Sequence, residues 1–141
     1  MLITEPRCVA LPETHPLAAS PQIAFDDLRD EPFIWTSPSP APPGTDQWQD
    51  HWLATSGRGD RPVRIGSITR NSDEWLTAIA NGYGISLAPA SAARFYQRPG
   101  VVYRPVTGVS PSQVGVAWAP ADNHNPVIQD FVQCCIAHRT T

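Results

Sequence analysis

The sequence predicts an α/β fold with a mainly parallel sheet and flanking helices. Three observations support this prediction. Residues 65–89 read as a strand–helix–strand unit, short apolar runs alternate with helical segments along the chain, and 41% of the 141 residues are apolar while only 16% are charged. A chain of this length holds one sizeable core, so we expect one domain, or one lobe with an appendage.

The strand–helix–strand unit rests on two hydrophobic periodicities. Apolar residues alternate over Val63–Ile65, as in a half-buried strand, and recur at helical spacing over Trp75–Ile79. Ile85–Leu87 follows as the next strand. Parallel strands joined by a helix end at the same edge of a sheet, where α/β folds hold their ligands, so we expect Thr69–Ser72 at that edge.

Polar residues and glycines mark the two ends of this helix. Asn71 or Ser72 is the predicted N-cap, and Asn71 with Glu74 has the spacing of a capping box. Gly82 or Gly84 is expected to take the left-handed conformation that ends the helix.

The remaining elements follow the same patterns in chain order. Strands are predicted at residues 8–11, 33–35, 101–103 and 114–118. Helical segments are predicted at residues 25–28, from the cap Thr45 to the turn Gly57-Arg58-Gly59, at 90–96 and at 126–138. Within the second helix, Trp48 and Trp52 lie at helical spacing and are interpreted as core packing. The last helix carries a continuous apolar stripe.

Charge and composition exclude several classes of function. The net charge of −3 and a pI near 5.7 leave no broad positive surface for a phosphate backbone, so we expect no direct contact with nucleic acid. We expect neither a signal peptide nor a membrane span, because the amino terminus shows no basic region followed by an apolar run and no stretch is long enough to cross a bilayer. Its three cysteines include an adjacent pair that cannot form a relaxed disulfide, which favours a reducing, cytoplasmic location.

The motifs of common α/β enzymes are missing from the sequence. It contains no Gly-x-Ser-x-Gly elbow, no phosphate-binding glycine loop, no dinucleotide fingerprint and no histidine–acid pair beside a nucleophile. His51, His124 and His138 show no metal-ligand spacing with each other or with the cysteines. We therefore predict a protein that is not an enzyme and that has no cofactor and no metal.

Five segments, in order, resemble the effector-binding domain of LysR-type transcriptional regulators. They are LPETHPLA at 11–18, DLRDEPFI at 27–34, AIANGYGISLAPAS at 78–91, RPGVVYRPV at 98–106 and VGVAWAPADNHNPVIQDFV at 114–132. The resemblance covers nearly the whole chain and corresponds to the carboxyl-terminal portion of that domain.

The resemblance implies a fold similar to type II periplasmic binding proteins, in which two lobes joined by crossing strands hold a small molecule in the cleft between them. Residues 13–112 would form the second lobe, 8–12 and 113–120 the hinge-crossing strands, and 126–138 a closing helix. This helix would pack on the first lobe of the family's domain. Neither that lobe nor the family's winged helix-turn-helix has a counterpart in this sequence. A second copy of the chain is then the expected partner, as a homo-oligomer.

The resemblance also implies where the effector binds. The loop after strand 33–35 and the turn after the strand that begins at Val63 would supply the groups, which are Thr36, Ser37, Thr69, Arg70, Asn71 and Ser72. Backbone N–H groups at a helix start favour an anion such as a carboxylate, although Asp73 and Glu74 weaken that attraction. An equally weighted alternative is that these polar residues only cap the helix and shape a proline-rich turn.

Two functions follow. The first is an effector-sensing module of a LysR-type regulator, which binds a small molecule and so controls DNA binding by a winged helix-turn-helix outside this sequence. The alternative is a stand-alone truncated regulator that pairs with full-length relatives.

Overall fold

The computed structural model describes residues 1–37, 43 and 45–139, which divide into two compact units. The larger unit consists of residues 6–110, and the smaller unit combines residues 1–5 with those from 111 onward. Within these ranges, no helix has the length and apolar character needed to cross a membrane.

Eight strands and four α-helices are present in the described residues. The strands are β1 (Ile3–Glu5), β2 (Arg7–Pro12), β3 (Ile23–Ala24), β4 (Pro32–Thr36), β5 (Arg64–Thr69), β6 (Ser86–Pro89), β7 (Val101–Thr107) and β8 (Ser112–Val114). The helices are α1 (Thr45–Leu53), α2 (Ser72–Ala80), α3 (Ala92–Phe95) and α4 (Pro126–Ala137).

The sheet of the larger unit is mainly parallel, as the sequence predicts. Its central part has the strand order β3-β7-β2-β6, and the parallel pair β4-β5 continues it through a parallel bridge between Phe33 and Ile85. Strand β3 also runs parallel to β7. The exception is β2, which is antiparallel to both β6 and β7. Strands β4, β5 and β6 therefore share one direction, and their carboxyl ends lie at the same edge.

The predicted strand–helix–strand unit is confirmed as β5, α2 and β6. Asn71 is the N-cap of α2, because its Oδ1 accepts a hydrogen bond of 2.9 Å from the Glu74 backbone N–H. Gly82, with φ of 79°, is the left-handed residue that ends the helix. Gly84 has a different role. A Cβ there would lie 2.8 Å from the Pro32 carbonyl oxygen, so only glycine lets this backbone approach β4.

Of the two strands predicted near the ends of the chain, one is confirmed and the other needs correction. Residues 8–11 lie within β2, which is buried along its length between β6 and β7. The partner of β8 is β1, in antiparallel register from Ile3–Val114 to Glu5–Ser112. The strand predicted at 114–118 is wrong beyond Val114, where β8 ends, and the pairing extends no further than the 2.8 Å hydrogen bond from the Leu2 N–H to the Val114 carbonyl. The hinge-crossing role of such strands stays a prediction.

Other helices and strands differ from the predictions in their bounds. Helix α1 ends at Leu53, four residues before Gly57, because Ala54 already takes the left-handed conformation with φ of 50°. Helix α3 is shorter than predicted and β7 is longer. The 3₁₀ turn Phe25–Leu28 lies where a helical turn is predicted. The Thr45 side chain, the predicted cap of α1, lies outside the described residues.

The larger unit has one main apolar cluster and two smaller ones, whereas the last helix is exposed. The core packs β2, β4 and β6 against the Phe25–Leu28 turn, with Val9, Phe33 and Leu87 at its centre. Helix α4 leaves Val127 at 72% and Phe131 at 59% exposure, so the predicted apolar stripe is present but uncovered within the described residues.

Replacing Gly84 with alanine should destabilise the larger unit. The new Cβ would lie 2.8 Å from the Pro32 oxygen and 3.0 Å from Ile34 Cδ1, which forces the bridge between β4 and β6 apart. We expect the free energy of unfolding, measured by urea titration, to fall by about 2 kcal/mol. The matched control is Gly57→Ala, whose Cβ would make only ordinary contacts, at 3.4 Å or more, with the Phe25 ring. Equal unfolding midpoints for the two variants would contradict this role.

Candidate functional site

A cavity of about 270 Å³ opens at the carboxyl edge of β4 and β6 in the larger unit. Helix α1 forms one side, and the beginnings of α2 and α3 form the other. This is the sheet edge at which the sequence predicts a ligand site.

Five aromatic side chains of the described residues line the cavity. They are Trp35, Trp48, Trp52, Trp75 and Tyr96. The rings of Trp35 and Trp48 meet edge to face, with centroids 5.3 Å apart and an interplanar angle of 60°. Trp48 remains 44% exposed, so its interpretation as core packing is wrong, whereas Trp52 packs on the core and lines the cavity. Their spacing places them on one face of α1, but it does not reveal what that face meets.

Two threonines join the carboxyl ends of β4 and β5 beside this wall. Thr36 Oγ1 and Thr69 Oγ1 share a hydrogen bond of 3.0 Å, and the Ser37 N–H donates to the Thr69 carbonyl at 2.9 Å. Thr69 is buried and does not line the cavity, whereas Thr36 does. The predicted residues at these two strand ends are thus brought together, with Thr36 facing the cavity.

At the start of α2, Ser72 lines the cavity and its neighbours make local contacts. The Glu74 carboxylate accepts 2.9 Å and 2.8 Å hydrogen bonds from the Arg70 backbone N–H and the Arg70 Nη2. The hydrogen bonds from Arg70 lower the pKa of Glu74, and those to Glu74 raise the pKa of Arg70. Asp73 pairs with Arg98. Both acidic groups at the positive end of α2 are therefore matched by arginines.

The six predicted site residues thus fall into two groups. Thr36 and Ser72 line the cavity. The other four do not line it and form hydrogen bonds with other groups of the protein; they are Ser37, Thr69, Arg70 and Asn71. Sequence reasoning missed the aromatic wall, for which the only sequence signal was the unusual number of tryptophans.

Two buried arginines fix α1, the helix that carries Trp48 and Trp52. Arg7 donates to the His51 carbonyl at 2.5 Å and to the Ser110 carbonyl at 2.6 Å. Arg58 donates to the Leu53 carbonyl at 2.8 Å, at the end of the helix. Burial lowers the pKa of both arginines, and burial together with the Arg7 charge lowers the pKa of His51.

Tyr103 fixes the opposite side of the cavity. Its hydroxyl donates a 2.5 Å hydrogen bond to the carbonyl of Tyr96, the residue that follows α3 and lines the cavity. Burial, with smaller contributions from Cys8 and Tyr96, raises the pKa of Tyr103 to about 12. The phenol therefore stays protonated, and remains a donor to Tyr96, throughout the neutral range.

Comparison with known proteins identifies the family. The sequence model of the LysR substrate binding domain matches residues 1–140. The chain belongs to this family. It is 29% identical to the HTH-type transcriptional regulator AlsR of Bacillus subtilis, over 97% of this chain and 44% of AlsR. The chain spans less than half the length of the curated relatives that it matches.

Solved structures of the family share the fold of this chain. The effector-binding domain of BenM with its effector benzoate is 23% identical, with a TM-score of 0.59 over 96% of this chain and 63% of that one. The effector-binding domain of QuiR in complex with shikimate is 21% identical, with a TM-score of 0.63 over 99% of this chain and 65% of that one. The fold is thus the lobe of a type II periplasmic-binding-protein-like LysR domain.

The ionisation of Tyr103 offers a test of the geometry around α3. In pH-jump measurements of tyrosinate absorbance, we expect one phenol of the folded protein to ionise near pH 12. Because an unfolded tyrosine ionises near pH 10, stability should fall as the pH rises from about 10 to about 12. The Tyr103→Phe variant should lose this late component, whereas Tyr83→Phe, at an exposed site, should keep it. A late component that persists without Tyr103 would contradict the assignment.

Proposed function

We propose that this chain is the effector-sensing part of a LysR-type transcriptional regulator and binds a small organic molecule in the tryptophan-lined cavity. The observation that carries the proposal is the position of the cavity, at the carboxyl edge of β4 and β6 and beside the start of α2. In α/β sheets this edge is the usual place for a ligand. The benzoate and shikimate complexes of related domains support the same kind of function.

The polar part of the effector would bind between Thr36 and Ser72. A carboxylate suits this position, because Ser72 opens α2 and the N-terminal end of a helix favours negative charge. The negative charges of Asp73 and Glu74 repel an anion only weakly, because Arg98 pairs with Asp73 and Arg70 pairs with Glu74. Benzoate and shikimate, the ligands of the two related domains, are themselves carboxylates.

The other predicted residues would act by holding these two in place. Thr69 bonds to the Thr36 hydroxyl, and Ser37 bonds to the Thr69 carbonyl. Asn71 caps α2 and so fixes where Ser72 begins the helix, while Arg70 pairs with Glu74 on the surface. We infer that these four residues position the site and that Thr36 and Ser72 contact the effector.

Sensing of this kind requires no chemical step, and we infer that the chain is not an enzyme. The effector acts if it binds one arrangement of the regulator more tightly than another, because equal affinities would shift no population. The β1–β8 pair would then link this lobe to the rest of an oligomeric regulator that carries the DNA-binding domain. The matched relatives are named as transcriptional regulators, and none supports a truncated protein that acts only by pairing.

A binding experiment with two hydroxyl deletions tests the site. We expect benzoate and shikimate to bind the chain weakly in NMR titrations, and Thr36→Val with Ser72→Ala to weaken benzoate by about tenfold or more. Thr107→Val, an exposed threonine outside the cavity, is the control and should leave the affinity unchanged. If the double variant binds both acids as the unmodified chain does, Thr36 and Ser72 do not contact the effector.

A further inference from the structure

Tryptophan is concentrated around one cavity of this protein. Four of the five tryptophans of the sequence line it, and the fifth, Trp118, belongs to the smaller unit. The four come from β4, from α1 and from α2, so three separate elements each direct an indole to the same space. The packing of a single helix therefore cannot explain why all four indoles line the same cavity.

The indole of Trp48 is the least covered of the four. It is 44% exposed and touches the Trp35 ring edge to face at a centroid distance of 5.3 Å. Burying a large aromatic side chain is strongly favourable, so an indole left open at a cavity wall leaves apolar surface available to an incoming group. Trp48 is therefore the wall residue with the most surface to offer a ligand.

The charges around the cavity distinguish among apolar ligands. No charged side chain lines the cavity in the described part of the chain. Aromatic cages also bind quaternary ammonium ions, but Ser72 opens α2 on this cavity and the N-terminal end of a helix disfavours a cation. The surroundings thus favour a neutral or anionic ring over a quaternary ammonium group.

The volume of the cavity is sufficient for a ligand that carries a ring. An apolar cavity of about 150 Å³ is large enough to hold benzene. The cavity of about 270 Å³ therefore has room for one substituted ring, with its substituent directed to Thr36 and Ser72.

We propose that the effector of this chain carries a planar aromatic ring, which packs against Trp48 and the indoles beside it. This inference rests on the proposed function, because it names the chemical class of the molecule held in the same cavity. Edge-to-face and stacked ring contacts add to what area burial alone provides, by about two- to tenfold in affinity for each pair. An alicyclic acid of similar size would lack that contribution.

The test compares three probes on the unmodified 141-residue chain. Benzoate and cyclohexanecarboxylate share a carboxylate and a six-membered ring but differ in aromaticity, and tetramethylammonium is the cationic probe. Each is titrated into the millimolar range while the indole N–H signals are followed by NMR. We expect benzoate to shift the cavity indoles through its ring current, to leave Trp118 unmoved, and to bind about fivefold more tightly than cyclohexanecarboxylate.

Two substitutions assign the effect to the wall. Trp48→Leu should weaken benzoate about fivefold and change the affinity for cyclohexanecarboxylate by less than about twofold. Trp118→Leu, a tryptophan of the other unit, is the matched control and should change neither. Because the comparison of probes uses the unmodified chain, the result does not depend on the folding of either variant.

The outcomes separate this inference from the proposed function. Equal affinities for benzoate and cyclohexanecarboxylate would overturn the proposed aromatic class of effector but leave the binding of a carboxylate in place. Tighter binding of tetramethylammonium than of benzoate would also overturn the aromatic class. Binding of none of the three probes would count against the cavity as an effector site, and both proposals would then fail. Tighter binding of benzoate that is lost in Trp48→Leu supports both.

Discussion

The cavity depends on two buried arginines that hold α1 against the rest of the larger unit. Arg58 donates to the last carbonyl of the helix, Leu53, and to the Arg29 carbonyl at the end of the preceding 3₁₀ turn. Arg7 donates to the His51 carbonyl in the final turn of α1. An isolated nine-residue helix is marginal in water, so its position must come from such tertiary contacts. The tryptophans of α1 face the cavity only while this anchoring lasts.

Arginine suits this task better than an apolar residue or a lysine. Neither arginine forms an ion pair with a carboxylate among the residues that the structure describes. Instead, each planar guanidinium group donates to more than one backbone carbonyl. The Arg58 guanidinium also lies 4.4 Å from the centroid of the Phe33 ring and 5.4 Å from that of the Phe25 ring. Burial lowers the pKa of Arg58, yet an arginine starts so high that it stays charged at neutral pH.

The parts that were predictable from the sequence are those encoded by neighbouring residues. The cap at Asn71, the left-handed Gly82 and the two periodicities define β5, α2 and β6 locally, and all three elements are present. The half-burial predicted for the first strand is wrong, because most of β5 is exposed, with Ile65 at 43% and Ile68 at 65%. The direction of β2 and its placement between β6 and β7 depend on pairings with residues about eighty to a hundred positions away, which local patterns do not encode. For the same reason, the helical spacing of Trp48 and Trp52 indicates one face of α1 but not the cavity opposite it.

The site separates groups that hold their position from groups that offer surface. Thr69 Oγ1 forms a 3.0 Å hydrogen bond with Thr36 Oγ1, and Asn71 Oδ1 accepts one of 2.9 Å from the Glu74 N–H. The polar floor of the cavity, which consists of Thr36 and Ser72, is therefore fixed before any ligand arrives. Two hydroxyls at the floor supply only about 1 kcal/mol each, whereas a buried ring contributes several times as much through area and contact. Affinity must therefore come mainly from the aromatic wall, and the floor determines which way the molecule points. Since Trp48 and Trp52 of this wall lie on a helix that Arg7 and Arg58 hold in place, the strength of binding depends in part on contacts outside the cavity.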